Sequence, residues 1–348
     1  MTGRPEDALV RRWDERLREG PTRRIAFTDG TDQRVLSAAA RLAHEGLVEP
    51  VLVGDGDRIE STAHSVGVGV DHVEVVEVAD VAGDAGMERA LTIALHGRRH
   101  DPIPELLRDP LHAGALLLSQ GRVDGCVSGA SITSGEVIRS GIRIVGLARD
   151  VAMVSSSFLL VMSDGRSVAF GDCAVVPEPN AEELADIAVS TAATFRLLTE
   201  EEPVVALLSH STKGSADTAG ARWVRLAAEQ ARRLAPDLVI DGELQFDAAV
   251  SARVSAIKAP ESSVAGTANV FVFPNLDAGN IAYKLTQYFA RAAAFGPLFQ
   301  GMAAPLNDLS RGCSADDVVA VAKITALQAA GTRFRARQQS GEAAHVVD

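Results

Sequence analysis

Short apolar segments alternate with helical stretches along most of this 348-residue chain, and that alternation limits its fold more than any other feature. Arg24-Ile25-Ala26-Phe27 reads as a strand. Thr31 then caps a helix running to about His44, which Gly46 ends as a C-terminal cap. Val51-Leu52-Val53-Gly54 reads as the next strand, and Val73 to Val78 as another. Near Cys126-Val127-Ser128-Gly129 a further apolar strand ends in a small-residue loop. Alternation of this kind builds parallel βαβ units in a doubly wound sheet, so the expected class is α/β.

The pattern changes in the middle. Phe158 to Ser163 and Ser167 to Phe170 flank Asp164-Gly165, a hairpin signal that parallel sheets do not use. Asn180 with Glu183 three residues later predicts a capped helix running to about Leu198. Val204 to Leu208, Leu238 to Ile240 and Ala268 to Phe273 then alternate with long helical stretches. The expected organisation is two-lobed. A first lobe comprises residues 1–149 plus 297–348 and carries the loop around Ser310. A second lobe, residues 150–296, is inserted in it. A lead-in helix is expected within residues 1–22, a last helix at about 315–331, and a frayed polar tail from Arg335.

Composition removes several function classes. A formal net charge of -12 argues against a nucleic-acid or anionic-membrane partner, because both need a basic surface. The three cysteines, Cys126, Cys173 and Cys313, stand far apart and form no metal-ligand spacing, so no metal site is expected and a reducing compartment suits them. The charged N-terminus lacks the apolar core of a signal peptide. No apolar run reaches the ~18–20 residues that a bilayer requires. A cytoplasmic location is expected.

One short loop concentrates the chemistry. Asn307-Asp308-Leu309-Ser310-Arg311-Gly312-Cys313-Ser314-Ala315-Asp316-Asp317 offers a hydroxyl, a guanidinium, a thiol and carboxylates directly before a helix, where free N–H groups suit an anionic substrate. Ser314 and Asp317 also fit a capping box, so Asp317 has a purely structural reading beside a catalytic one. Cys313 is either an acyl-accepting nucleophile activated by Arg311 or a small packing residue. A second segment, Ser128-Gly129-Ala130-Ser131-Ile132-Thr133-Ser134-Gly135-Glu136, places small residues and hydroxyls before a helix that carries Arg139. That arrangement can hold phosphate, with Arg139 folding back as a clamp, and it is also ordinary capping. Arg98-Arg99-His100 reads by default as a solvated surface run. Asp241-Gly242-Glu243 follows a strand, where open α/β sheets take ligands, but has no third metal ligand. Ser209 to Ser215 lacks the order and spacing of a nucleotide P-loop, and neither segment holds a GxGxxG for a nicotinamide cofactor.

These segments resemble the phosphate acetyltransferases (phosphotransacetylases) of the phosphate acetyl/butyryltransferase family. The matching blocks are Phe27 to Leu36, Val127 to Ala130, Asp172 to Val175 with Pro177, Leu208 to Ser215, Asp241 to Ala249, Phe273 to Lys284, and Asn307 to Ser314. They cover about residues 23–332. The resemblance implies an isocitrate/isopropylmalate dehydrogenase-like fold with two α/β lobes and an interdomain cleft, usually as a homodimer. It implies reversible acetyl transfer between acetyl phosphate and coenzyme A, which is a substrate, with no resident cofactor. By motif it implies catalysis by Ser310, Arg311 and Asp317. It implies substrate binding by Arg139 and Arg98, and the loop residues Ser128 and Thr133 are expected to join them. The chain departs from the family in having Ser140 where Pro is usual, in its SITSGE stretch, and in a shortened segment after His100. Two other readings stand beside this one: phosphate butyryltransferase or another acyl specificity, and an idle regulatory or assembly module.

Overall fold

A computed structural model describes residues 4–95, 102–149, 151–264 and 266–343, with side chains as far as residue 331. The described strands, in chain order, begin with β1 (Arg23–Phe27), β2 (Val48–Gly54), β3 (Glu74–Glu77), β4 (Gly125–Ser128), β5 (Ser155–Val161) and β6 (Ser167–Gly171). They continue with β7 (Val204–Leu208), β8 (Val239–Leu244), β9 (Val270–Val272), β10 (Ala293–Gln300) and β11 (Leu306–Asp308). Six helices bear on function: α1 (Asp7–Glu19), α2 (Gln33–Glu45), α3 (Ser134–Ser140), α4 (Ala181–Thr199), α5 (Leu276–Phe289) and α6 (Ala315–Ala343).

The chain divides into two compact units, Val10–Arg149 with Met302–Asp348, and Asp150–Gly301 with Met1–Leu9. The expected return at residue 297 needs correction. It falls inside β10, which pairs with β5 from Ala293 to Gln300 across a register shift between Phe295 and Leu298. Pairing on both sides of that shift goes with a unit that runs to Gly301.

The first unit holds a five-stranded sheet in the order β11-β4-β1-β2-β3, with every pair parallel. All four residues of β4 are buried, as expected for a parallel strand covered on both faces. The cap of α2 is Asp32 rather than Thr31, its side chain accepting from the Arg34 N–H. Gly46 ends that helix at φ 65°, a conformation that suits glycine. The last helix begins where expected but its backbone continues to Ala343 instead of fraying. Lys323 of α6 is buried and meets Asp14 of α1 and Glu45 of α2, each at 2.7 Å. These pairs tie α6 to α1 and α2.

The second unit holds a six-stranded sheet in the order β10-β5-β6-β9-β7-β8. Strands β10, β5 and β6 are antiparallel neighbours, joined in part by the Asp164-Gly165 turn, and the β6-β9-β7-β8 pairs are parallel. Helix α4 carries the expected Asn180/Glu183 capping box.

Candidate active site

Strands β1, β4 and β11 are adjacent and parallel, so the loops that follow them leave the same sheet edge. Phe27 pairs with Val127 and Ser128 with Asp308. From β1 the chain moves to β2 on one side, while β4 lies on the other. The carboxyl ends of β1 and β4 therefore flank a topological switch point, where open α/β sheets bind ligands. Three segments meet there: Thr28-Asp29, Gly129 to Thr133, and Leu309 to Ser314.

Asp29 organises the second segment. Its carboxylate accepts the N–H groups of Gly129 (2.9 Å), Ala130 (3.3 Å) and Ser131 (3.0 Å), and the Ser131 hydroxyl. A protein carboxylate thus occupies the N–H cluster that the sequence offered to phosphate. Ser128 is fully buried, and its hydroxyl accepts from Thr28 Oγ1 at 2.7 Å. Thr133 caps α3 in a complete capping box with Glu136. Both residues therefore make internal bonds. Arg139 is exposed on α3, and its Nη1 lies 3.4 Å from where a β-carbon on Gly135 would stand, so the side chain does fold back toward the helix start. Arg98 falls outside the described residues.

The third segment is stapled by Arg34. Its Nη1 donates to the carbonyls of Arg311 (2.7 Å) and Cys313 (3.1 Å), and its Nη2 to the carbonyl of Ala130 (2.8 Å). The same guanidinium pairs with Asp32 at 2.6 Å. Two turns along α2, Arg41 meets Asp316 at 2.6 Å. One face of α2 therefore fixes the part of the loop that follows Ser310 and the start of α6, while the Ser310 and Arg311 side chains are exposed. Ser310 Oγ accepts from the Gly312 N–H at 3.2 Å, closing a tight turn.

Asp317 is exposed at the start of α6. Its Oδ2 accepts from Ser314 N and Oγ, both at 2.8 Å, and its N–H donates to Ser314 Oγ. The capping box is thus complete, and it also holds the carboxylate in one orientation. Cys313 is buried, and burial pushes its thiol pKa up against the opposing charge of Arg34. The cation that faces the thiol is Arg34, not Arg311, and the thiolate a nucleophile requires is disfavoured.

Asp308 is 1% exposed at the end of β11. Burial pushes its pKa up to about 6 against the lowering effect of a hydrogen bond from Ser134, and the charge of Asp29 adds to the rise. Its Oδ2 accepts from Ser134 Oγ, while Oδ1 has no hydrogen-bond partner. Gly129, at φ 103°, lies against this carboxylate, and a β-carbon there would collide with it.

A sequence family described as "Phosphate acetyl/butaryl transferase" matches residues 10–326. The chain belongs to the phosphate acetyl/butaryl transferase family. A phosphate acetyltransferase of Clostridium acetobutylicum is 44% identical over 314 residues, 88% of this chain and 94% of that protein. A phosphotransacetylase structure from Streptococcus pyogenes is 39% identical and superimposes with a TM-score of 0.87, covering 92% of this chain and 99% of the other. A 4-hydroxythreonine-4-phosphate dehydrogenase from Burkholderia phymatum is only 13% identical but has a TM-score of 0.51 over 89% of this chain and 97% of the other. That likeness shows a dehydrogenase-type fold in this transferase family member.

Sequence reasoning missed Asp29, Arg34, Asp308 and Ser134. Each lies in or beside a segment already singled out. Asp241 and Glu243, suspected of lining a ligand site, lie within β8 and are satisfied internally. Asp241 pairs with Lys213 and Arg232, and Glu243 with Arg225, Ser211 and the Gly214 N–H. Among the described residues no group of His, Cys, Asp and Glu is placed to hold a metal. No described helix is long and apolar enough to cross a membrane.

Proposed function

We propose that the protein transfers an acetyl group reversibly between acetyl phosphate and coenzyme A. The observation that carries this reading is the intact Asn307 to Ser314 loop, held by Arg34 at the sheet edge from which the Arg139 helix also departs. Relatives named phosphate acetyltransferase, matching 88% of the chain, support acetyl as the group transferred.

In this mechanism the coenzyme A thiol attacks the carbonyl carbon of acetyl phosphate directly. Asp317 takes the S–H proton, the C–S bond forms, and the C–O bond to phosphate breaks. Arg311 stabilises the carbonyl oxygen as negative charge develops, and Ser310 orients the thiol. Arg139, supported by Arg98, holds the phosphoryl group as it leaves. Ser128 and Thr133, first expected to touch substrate, act here through the loop they brace. A thiol with a pKa of about 8.5 is mostly protonated at neutral pH, so it must lose its proton as it attacks. Arg311 lowers that cost, because its charge favours the thiolate. No metal or resident cofactor has a part in this scheme.

The protein is further proposed to act in the cytoplasm as a homodimer. Of the 14 residues of α5 only Gly279 is buried, while Ile281, Leu285, Tyr288 and Phe289 form an exposed apolar face.

The test is acetyl-CoA formation from acetyl phosphate and coenzyme A without added metal, compared with propionyl and butyryl phosphate. Fastest transfer of acetyl supports the reading. Faster butyryl transfer moves the protein to the other branch of its family, and no transfer of any acyl group removes the reading.

A further inference from the structure

We propose that Asp308 and Ser134 form a positioning pair that sets the spacing between Arg139 and Arg311, and so selects a ligand long enough to engage both. This inference rests on the acyl phosphate reading above. Ser134 is the first residue of α3, which carries Arg139 five positions later. Asp308 is the last residue of β11, three positions before Arg311. The Ser134 hydroxyl donates to Asp308 Oδ2, joining the two carriers directly.

Three features make this bond more than a local contact. Asp308 is buried and Ser134 is half-buried, so the bond is partly shielded from water. Its other oxygen, Oδ1, has no hydrogen-bond partner, so Ser134 is the side chain that satisfies this carboxylate. Gly129 lies beside the same group, where any β-carbon would collide with Oδ1. The charges around the pair are accounted for elsewhere. Asp29, from the loop after β1, is engaged by the Gly129 to Ser131 N–H groups, and Glu136 of α3 is tied into the Thr133 cap. On α6, Lys323 pairs with Asp14 and Glu45.

A ligand gripped at one point does not feel this spacing. Inorganic phosphate needs the phosphoryl grip alone, whereas acetyl phosphate also presents its carbonyl to Arg311. Loss of the pair therefore separates the two ligands. Removing one buried hydrogen bond that fixes the spacing corresponds to about tenfold in affinity.

The experiment measures binding of acetyl phosphate without coenzyme A, and of inorganic phosphate, by calorimetry on Ser134→Ala, Asp308→Asn, Asp308→Ala and Ser134→Ala/Asp308→Ala. Ser134→Ala and Asp308→Ala are expected to weaken acetyl phosphate about tenfold with inorganic phosphate changed less than about twofold. Asp308→Asn, which keeps an acceptor for Ser134, restores near wild-type binding, and the double variant binds no worse than the weaker single one. Unchanged acetyl phosphate affinity in Ser134→Ala overturns the proposal, as does multiplication of the two losses or equal weakening of both ligands. Ser134→Ala and Asp308→Asn are nearly isosteric, so they decide the matter even if Asp308→Ala fails to fold. Acetyl-CoA formation by the wild-type protein is measured separately. Its absence removes the functional reading, while the binding series still reports on the pair.

Discussion

The guanidinium of Arg34 donates from Nη1 to the carbonyl oxygen of Arg311 at 2.7 Å, across 277 positions of sequence. With its bonds to the carbonyls of Cys313 and Ala130, this side chain spans two of the loops at the sheet edge. Replacing Arg34 with Met removes those donors while keeping most of the aliphatic stem. Displacing the loop by about 1 Å costs on the order of 100-fold in kcat/KM. The lost bonds cost about 2–4 kcal/mol of stability. Arg34→Lys keeps the charge but not the planar fork, so it recovers little. Steady-state kinetics and thermal unfolding check this expectation, and wild-type kcat/KM in Arg34→Met contradicts it.

Asp308 gives a pH-dependent stability with a definite sign. Its pKa rises from an ordinary 3.8 to about 6 in the folded chain, so the folded state binds this proton more tightly than the unfolded state. Ionising it costs up to about 3 kcal/mol of stability. That cost is fully present above pH 6 and fades as the pH falls toward 3.8. Asp308→Asn is therefore expected to raise thermal stability at pH 8, with the gain shrinking below pH 6 and vanishing near pH 4. An equal gain at every pH, or a loss at pH 8, contradicts the assignment.

Cys313 separates direct transfer from an acyl-enzyme. Its buried, up-shifted thiol is a poor nucleophile, so Cys313→Ala should retain turnover within about threefold. Initial rates against both substrates should give intersecting lines. Parallel lines, or an acetyl group found on Cys313 by mass spectrometry, support the double-displacement route instead.

The exposed face of α5 makes a claim about assembly. Sedimentation should give twice the chain mass of 36.5 kDa, and Tyr288→Asp with Phe289→Asp should return the protein to single chains by placing charge in an apolar contact. A wild-type monomer, or a dimer that survives both substitutions, rules out this face.

Much of the fold was legible because its signals are local. The Asn180/Glu183 and Ser314/Asp317 boxes, the Gly46 cap and the Asp164-Gly165 hairpin each involve residues within a few positions of one another. The cap at Asp32 was missed by one residue because Thr31 and Asp32 are both good cap residues. The lobe boundary differs by a few residues because β10 runs through Gly296-Pro297 with a shifted register, a pairing with β5 that no local signal shows. In the candidate site the reactive loop was legible, but its supports were not. Arg34 reaches Arg311 across 277 positions and Ser134 reaches Asp308 across 174, and no single sequence shows such pairings. The Ser128 hydroxyl read as a ligand group because its partner Thr28 lies 100 positions away and emerges only once the strands are side by side, whereas Thr133 is bound locally by Glu136, three residues on.

Asp317→Asn tests the central claim most directly. The amide keeps one oxygen for the Ser314 donors, so the cap persists while the base is lost. Turnover in acetyl-CoA formation is expected to fall by ~100- to 10,000-fold, with both KM values and thermal stability nearly unchanged. Wild-type turnover in this variant would show that Asp317 only caps α6, and the proposed proton transfer would have no base.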